Sequence, residues 1–336
     1  MARIYKRKNI WYIDYHYKDR RFRKKVGESK KLAEFALKDI EVKITRDEYG
    51  ILKKEIRIDK FIEDYLSYIE VNKRKKTAVR YGEIIRHFQK FIIENNFTRL
   101  SEIEPRHIEL YKKERFKFIK PVTINYELRL LKSIFLKAVK DNFLKTNPVD
   151  NIERLKVTPK EPRFFIKEEL KEVLARCGER LYPIFLTLAS TGMRLGELIN
   201  LEWGDIDFER RLINIRVKEF WEPKNSRPRP IPMTDKLYNV LNMLNKNTRW
   251  VFETSMSNQL HRNHLRESLV KVCMNIGIEP ANIHTFRHTF ASHLVMGGVD
   301  LPTVQRLMGH SDISTTMIYA HLASEHLKGA VEKLEF

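Results

Sequence analysis

Three segments in the second half of the chain place cations where they suit phosphate chemistry. Arg194 follows a Thr-Gly break and begins an apolar helix, a position that aims a guanidinium and helix N–H groups at an anion. Lys224 stands at the tip of a polar turn between predicted strands. His284 and Arg287 lie three residues apart, on one face of a predicted helix. Each feature alone is typical of an ordinary surface residue, so the inference depends on their combination.

The remaining polar residues add a histidine and a tyrosine near the end of the chain. His310 follows a glycine, and Tyr319 comes nine residues later. His288 lies four residues after His284, a spacing that also suits zinc ligands. The metalloprotease pattern requires glutamate directly after the first histidine, and Thr285 stands there instead. We therefore expect no metal and no cofactor.

In order, the constellation of Arg, Lys, His-x-x-Arg, Gly-His and Tyr resembles the tyrosine recombinase, or phage integrase, family. Residues 184–204 resemble the first catalytic box of that family and residues 284–321 resemble the second. The resemblance covers the whole chain. It implies that Tyr319 attacks a DNA phosphodiester, forms a 3′-phosphotyrosyl link and frees a 5′-hydroxyl.

The resemblance also implies roles for the other candidates. Arg194 and Arg287 clamp the charge that develops on the phosphate oxygens, because guanidinium groups stay protonated and bind in a bidentate manner. Lys224 protonates the leaving 5′ oxygen. His284 and His310 hydrogen-bond the phosphate or move protons. Glu197 orients Arg194 or a histidine from one helical turn away.

Apolar spacing predicts the elements that position these residues: a mainly α fold with small β-sheets (α+β) in three domains. Residues 1–55 are expected to form a small sheet packed on a helix over 30–49, and the resemblance implies that they are an arm-type DNA-binding domain. The apolar stripe predicted for that helix is Leu32, Phe35, Ala36, Ile40 and Ile44. Residues 56–155 predict a helical domain with helices near 59–70, 75–94, 105–117 and 121–141. Residues 163–336 predict a mixed domain, and apolar spacing from Leu327 to Leu334 indicates a tail helix. The resemblance implies that the first of these is a SAM-like core-binding domain and the second is the catalytic domain.

Net charge also differs along the chain, between three segments close to these domains. The net charge of +20 divides into +8 over residues 1–55, +10 over 56–160 and only +2 over 161–336. Such an excess indicates a polyanionic partner, and double-stranded DNA fits best. The candidate DNA-binding residues are Arg21, Arg23, Lys24, Lys25, Lys73, Arg74, Lys75 and Lys76.

Composition excludes several other classes of protein. Two cysteines cannot form a disulfide framework, the longest apolar run is too short to span a bilayer, and 42% apolar residues argue against disorder. We expect a cytoplasmic, nucleoid-associated protein without a membrane partner.

The main hypothesis is a site-specific recombinase that integrates or excises a mobile element. The resemblance implies a homotetramer on DNA, and an accessory DNA-bending or directionality factor is compatible with it. Three alternatives remain open: a Xer-type recombinase that resolves chromosomes or plasmids, a type IB topoisomerase-like nicking-closing enzyme, and a DNA-binding protein without catalysis.

Overall fold

The computed structural model divides the chain into two compact units, Met1–Thr158 and Pro159–Phe336. The residues that the structure describes are 2–17, 20–48, 55–158, 161–219, 221, 228–254 and 258–323. Lys224 and the predicted tail helix lie outside these ranges. The boundary predicted near residue 55 also meets a gap in the description, at residues 49–54, so that boundary stays a prediction.

The first unit begins with a three-stranded antiparallel sheet of β1 (Arg3–Arg7), β2 (Ile10–Tyr17) and β3 (Arg20–Gly27). Helix α1 (Lys30–Glu48) packs against all three strands, with Ala33 fully buried and Ile13 beneath it. The predicted stripe is partly wrong, because Leu32 and Phe35 are exposed. The packed face is centred on Ala33, one position after Leu32, so those two larger side chains lie on the exposed side of the helix.

Four helices follow in the first unit: α2 (Ile58–Asn72), α3 (Lys75–Glu94), α4 (Pro105–Phe116) and α5 (Pro121–Lys140). They agree with the four predicted helices to within two residues at each end. Proline occupies the first position of α4 and α5, where its missing N–H costs no hydrogen bond. Their apolar faces share one core built around Phe88, Phe135 and Tyr111.

The second unit is also mainly helical. Its helices are α6 (Lys167–Arg176), α7 (Tyr182–Thr191), α8 (Leu195–Ile199), α9 (Asp235–Met243), α10 (Arg262–Asn275), α11 (His284–Met296) and α12 (Leu301–Met308). A small antiparallel sheet contains β4 (Ile206–Asp207), β5 (Leu212–Ile215) and β6 (Arg229–Pro232). A 3-10 segment, Met317–Ala323, carries Tyr319 and packs on α11. The predicted fold class is confirmed.

No helix among the described residues is both long and apolar enough to cross a membrane. Cys177 and Cys273 are buried, and they form no disulfide with each other. Within the same described ranges, no three histidine, cysteine or acidic side chains are grouped so that they could hold a metal ion.

Candidate active site

Gly192 joins α7 to α8 and sets the position of Arg194. Its φ of +60° is left-handed, and a Cβ there would lie 2.4 Å from the ring of Phe290. This glycine therefore lets the chain turn tightly against α11. Arg194 follows in extended conformation as the N-cap of α8.

Three arginines converge on the C-terminal end of α12. Three consecutive carbonyl oxygens each accept a hydrogen bond from a different guanidinium. The pairs are Arg229 Nε to Leu307 at 2.9 Å, Arg287 Nη2 to Met308 at 2.5 Å and Arg194 Nη2 to Gly309 at 3.3 Å. The last carbonyls of a helix have no partner within the helix and carry its negative dipole end, so they stabilise cations. The end of α12 thereby fixes three positive charges side by side.

Glu197 forms ion pairs with two of these three arginines. Its carboxylate is buried and accepts from Arg194 Nη1 at 3.0 Å and from Arg229 Nη2 at 2.7 Å. Burial alone would raise the pKa of Glu197, but the hydrogen bond and charge of Arg229, together with Arg194, outweigh it and lower the pKa below its usual range. The carboxylate is therefore ionised at neutral pH. Glu197 holds Arg194 as predicted, and it also holds Arg229.

Arg287 is the most deeply placed of the three cations, with only 2% of its surface exposed. Besides Met308, it donates from Nη1 to the Gly192 carbonyl at 2.6 Å. Burial, followed by repulsion from Arg194, lowers the pKa of Arg287 to about 9. The guanidinium still carries its charge at neutral pH. Since a guanidinium has five N–H donors, two bonds to protein acceptors do not exhaust it.

His310 directly follows the arginine-binding turn. It is buried, and its Nδ1 lies 2.8 Å from Thr316 Oγ1. Burial, then the charge of Arg287, lowers the pKa of His310 to about 3, so the imidazole is neutral at neutral pH. A cavity of about 540 Å³ opens beside Arg229, Gly309 and His310.

Tyr319 reaches the same site from the 3-10 segment. Its ring is 1% exposed within a small apolar cluster that includes Val295, Val304 and Met308. Its hydroxyl lies 2.7 Å from His288 Nδ1. Burial raises the pKa of Tyr319 to about 12, although the nearby charge of Arg287 opposes the shift.

The structure therefore brings together Arg194, Glu197, Arg287, His310 and Tyr319. His284, at the start of α11, lies beside His288 with ring centroids 4.8 Å apart. Its side chain is exposed and makes further interactions within the protein. Lys224 lies outside the described residues.

Two residues of the site were missed by the sequence interpretation. Arg229 is buried on β6, where the strand's alternation turns Arg229 and Ile231 inward. That alternation, within Pro228-Arg229-Pro230-Ile231-Pro232, was the available signal. His288 was given no role, and its contact with Tyr319 joins residues 31 positions apart.

The candidate DNA-binding residues of β3 divide between two faces of the first sheet. Pairing of Ile13 with Lys24 and of Asp14 with Arg23 places Lys24 on the face of Ile13, and Arg21, Arg23 and Lys25 on the other. Asp14 organises the second face, because Arg21 Nε donates to it at 2.8 Å while Arg3 and Arg23 lie within 4 Å. Hydrogen bonding by Arg21 lowers the pKa of Asp14 to about 2.

The second candidate cluster, Lys73 to Lys76, surrounds the beginning of α3. All four side chains are exposed, and no acidic residue lies in the first turn of that helix. Cations are unfavourable at a helix N-terminus, where the dipole is already positive. An anionic partner would relieve this repulsion.

Comparison with known protein families divides the chain into two matched segments. The model of the phage integrase family matches residues 163–326, and that of the phage integrase SAM-like domain matches residues 58–156. A tyrosine recombinase of Pseudothermotoga lettingae is 29% identical over 293 residues, which cover 83% of this chain and 98% of that protein.

A second relative and one solved structure extend the comparison. Tyrosine recombinase XerD of Rickettsia bellii is 31% identical over 233 residues, covering 62% of this chain and 76% of that protein. The crystal structure of a lambda integrase tetramer bound to a Holliday junction covers 92% of this chain and 95% of its own, with a TM-score of 0.67 and 14% identity; this likeness concerns the fold. Since both family models match in the expected order and the XerD relative is covered over three quarters of its length, the chain belongs to the phage integrase family and is a tyrosine site-specific recombinase.

Proposed function

We propose that this recombinase cuts and rejoins double-stranded DNA through Tyr319, and that it integrates or excises a mobile element. One observation carries the proposal: the end of α12 holds Arg194 and Arg287 beside His310, in the same unit that buries Tyr319 against α11. A phosphodiester transition state gains negative charge, and cations fixed in advance stabilise it without reorganisation.

Each residue of the site then has its own role in the reaction. Tyr319 Oη attacks phosphorus, the 3′-phosphotyrosyl bond forms and the 5′ oxygen leaves. Arg194 and Arg287 bind the non-bridging oxygens, and Glu197 holds Arg194 in place. Lys224 gives the leaving oxygen its proton. His284 and neutral His310 hydrogen-bond the phosphate. The covalent link conserves the energy of the broken bond, so rejoining by the freed hydroxyl requires no ATP.

Access to DNA requires a local movement, because Tyr319 and Arg287 are almost fully buried. The 3-10 segment that carries Tyr319 is a suitable element to move, since its hydrogen bonds are weaker than those of an α-helix. DNA binding would then open the apolar cluster, so that the phosphate reaches the phenol where it lies against His288.

DNA is held by the first unit in this proposal. The arginine face of β3 contacts one segment, and Lys73 to Lys76 contact the backbone of another. Both family models begin after α1, at residue 58 or later, so the sheet with α1 is an addition suited to separate arm sites. This addition favours integration over the resolution reaction of a Xer-type enzyme.

Recombination joins four strands, so four protomers act on two DNA segments, as in the lambda integrase tetramer on its junction. An accessory DNA-bending or directionality factor would select between integration and excision. The protein would act at the nucleoid in the cytoplasm.

The decisive experiment maps covalent adducts on a random pool of duplex DNA. The parent protein should form a denaturant-resistant adduct at a defined sequence, and mass spectrometry should place it on Tyr319. Tyr319→Phe should bind the same DNA and lose the adduct. Tyr238→Phe is the matched control, because Tyr238 lies in the same unit against Phe208 and should react like the parent.

Two results would contradict the proposal. An adduct that persists in Tyr319→Phe would remove the nucleophile assignment. Relaxation of plasmids that lack the captured sequence would favour the topoisomerase-like alternative.

A further inference from the structure

His288 meets the hydroxyl of Tyr319 through a ring nitrogen. The Nδ1–Oη distance is 2.7 Å, and the ring centroids lie 5.9 Å apart at 52°. His288 is half-buried, whereas His310 is buried and uses its Nδ1 on Thr316. The phenol of the nucleophile is therefore hydrogen-bonded to a titratable group that the proposed reaction does not yet use.

The surroundings of His288 determine its protonation state. On α11 it faces Arg287 and His284, and on the 3-10 segment it faces Tyr319. Burial and the charge of Arg287 lower the pKa of His288 below its usual range. A neutral imidazole has one donor nitrogen and one acceptor nitrogen. In the tautomer protonated on Nε2, the tyrosine hydroxyl donates and Nδ1 accepts, and the proton of Tyr319 then points at a base.

We propose that His288 is the general base that accepts the proton of Tyr319 during DNA cleavage, an inference that depends on the proposed role of Tyr319 as nucleophile. As Oη bonds to phosphorus, the Oη–H bond breaks and its proton moves to Nδ1. The P–O5′ bond breaks at the same time, and the 5′ oxygen takes its proton from Lys224. Rejoining reverses every transfer, so each cycle returns both groups to their starting state.

A base is needed at this position because Tyr319 is a poor nucleophile as a neutral phenol. The burial that shields the ring also disfavours the phenolate, with a pKa of about 12. Arg287 provides a fixed positive charge near the phenolate that forms, and it keeps His288 neutral beforehand. The same cation thus favours both the resting state and the transfer.

The test compares His288→Gln with the parent on the duplex captured from the random pool. Glutamine can still hydrogen-bond the phenol but cannot take its proton. At neutral pH we expect cleavage to fall about 10²–10⁴-fold, the usual contribution of a general base. The rate of the variant should then rise about tenfold per pH unit as hydroxide replaces the base, since the phenol titrates only near pH 12. The parent should show no such rise.

Chemical rescue separates a base from a merely positioning histidine. Added imidazole should restore cleavage by His288→Ala, and a fluorinated tyrosine of lower pKa at position 319 should restore cleavage by His288→Gln. His264→Gln, an exposed histidine on α10, is the control and should keep the parent pH profile.

Cleavage by His288→Gln at the parent rate would overturn the base assignment while leaving Tyr319 as nucleophile. So would a slow rate in both variants that responds to neither pH, imidazole nor fluorotyrosine. Failure of the parent to form an adduct on Tyr319 would instead contradict the proposed function itself.

Discussion

The positive charges of the two units differ in how they are held. In the second unit, Arg229 and Arg287 are buried and bound to backbone carbonyls, and the net charge of residues 161–336 is only +2. In the first unit, the basic residues around the start of α3 are exposed, and residues 1–160 carry the other +18. The second unit therefore holds a few cations at defined positions, whereas the first unit presents many exposed cations.

The sheet of the first unit combines the two arrangements, because its arginines are exposed but also held by an acidic residue. Its arginines are largely exposed, yet Asp14 holds Arg21 in a two-point contact and draws Arg3 and Arg23 toward it. A bidentate pair fixes direction as well as charge. This surface is therefore better suited than the α3 run to contacts that need a defined geometry.

The largest expected effect comes from Arg229→Met. The substitution leaves the buried Glu197 with half of its cationic partners and leaves the Leu307 carbonyl without its donor. Breaking a buried ion pair on one side costs about 3–5 kcal/mol. We expect that loss in the free energy of unfolding, measured by denaturant titration, together with slower cleavage because Arg194 shares the same carboxylate.

Arg211→Met is the matched control. Arg211 pairs with Asp235 in the same unit, but both side chains are exposed, so its loss should cost at most about 1 kcal/mol. If both variants lose the same free energy of unfolding, burial of an arginine does not determine how much it stabilises this protein.

Gly309→Ala should have the next largest effect. Gly309 has a φ of +64°, and a Cβ there would lie 2.8–2.9 Å from the guanidinium and Cδ of Arg229. Gly277 has a similar φ of +72° with nothing within 4 Å, so Gly277→Ala carries the backbone strain alone. We expect Gly309→Ala to unfold at lower denaturant concentration, with about 1–3 kcal/mol more destabilisation from overpacking.

Cleavage should separate the same pair of variants. Displacing Arg229 disturbs the carbonyls that hold Arg194 and Arg287, so Gly309→Ala should cleave more slowly than Gly277→Ala. Similar stability and similar cleavage in both would mean that Arg229 yields easily and that its position is not critical.

The sequence predicted those parts of the site that local pattern encodes. Arg194 and Arg287 stand in short segments with distinctive spacing, and the helices of residues 58–140 follow their apolar periodicity. The burial of Arg229 escaped prediction because its partners lie 32 and 78 positions away. A run with three prolines also suggests a loop more readily than a strand.

His288 and α1 show the same limit of local pattern. The tyrosine partner of His288 is 31 positions along the chain, and α11 alone gives no indication of it. For α1, periodicity identified the helix, but the face that packs is centred on Ala33 and excludes the predicted Leu32 and Phe35. Both a long-range contact and the choice of the packed helix face are properties of the folded chain.

The smallest expected effect concerns the exposed lysines of the first unit. Replacing Lys75 and Lys76 with glutamine should weaken DNA binding evenly across sequences, because phosphate contacts carry no sequence information. Each lost contact should reduce the slope of log affinity against log salt concentration by about 0.9, measured by fluorescence anisotropy on the captured duplex. Cleavage of DNA already bound should not change. The control replaces Lys167 and Lys171, two exposed lysines of α6, and removes the same charge from the second unit. If the control lowers the salt slope as much as the test pair, net charge rather than its placement on the first unit governs DNA binding.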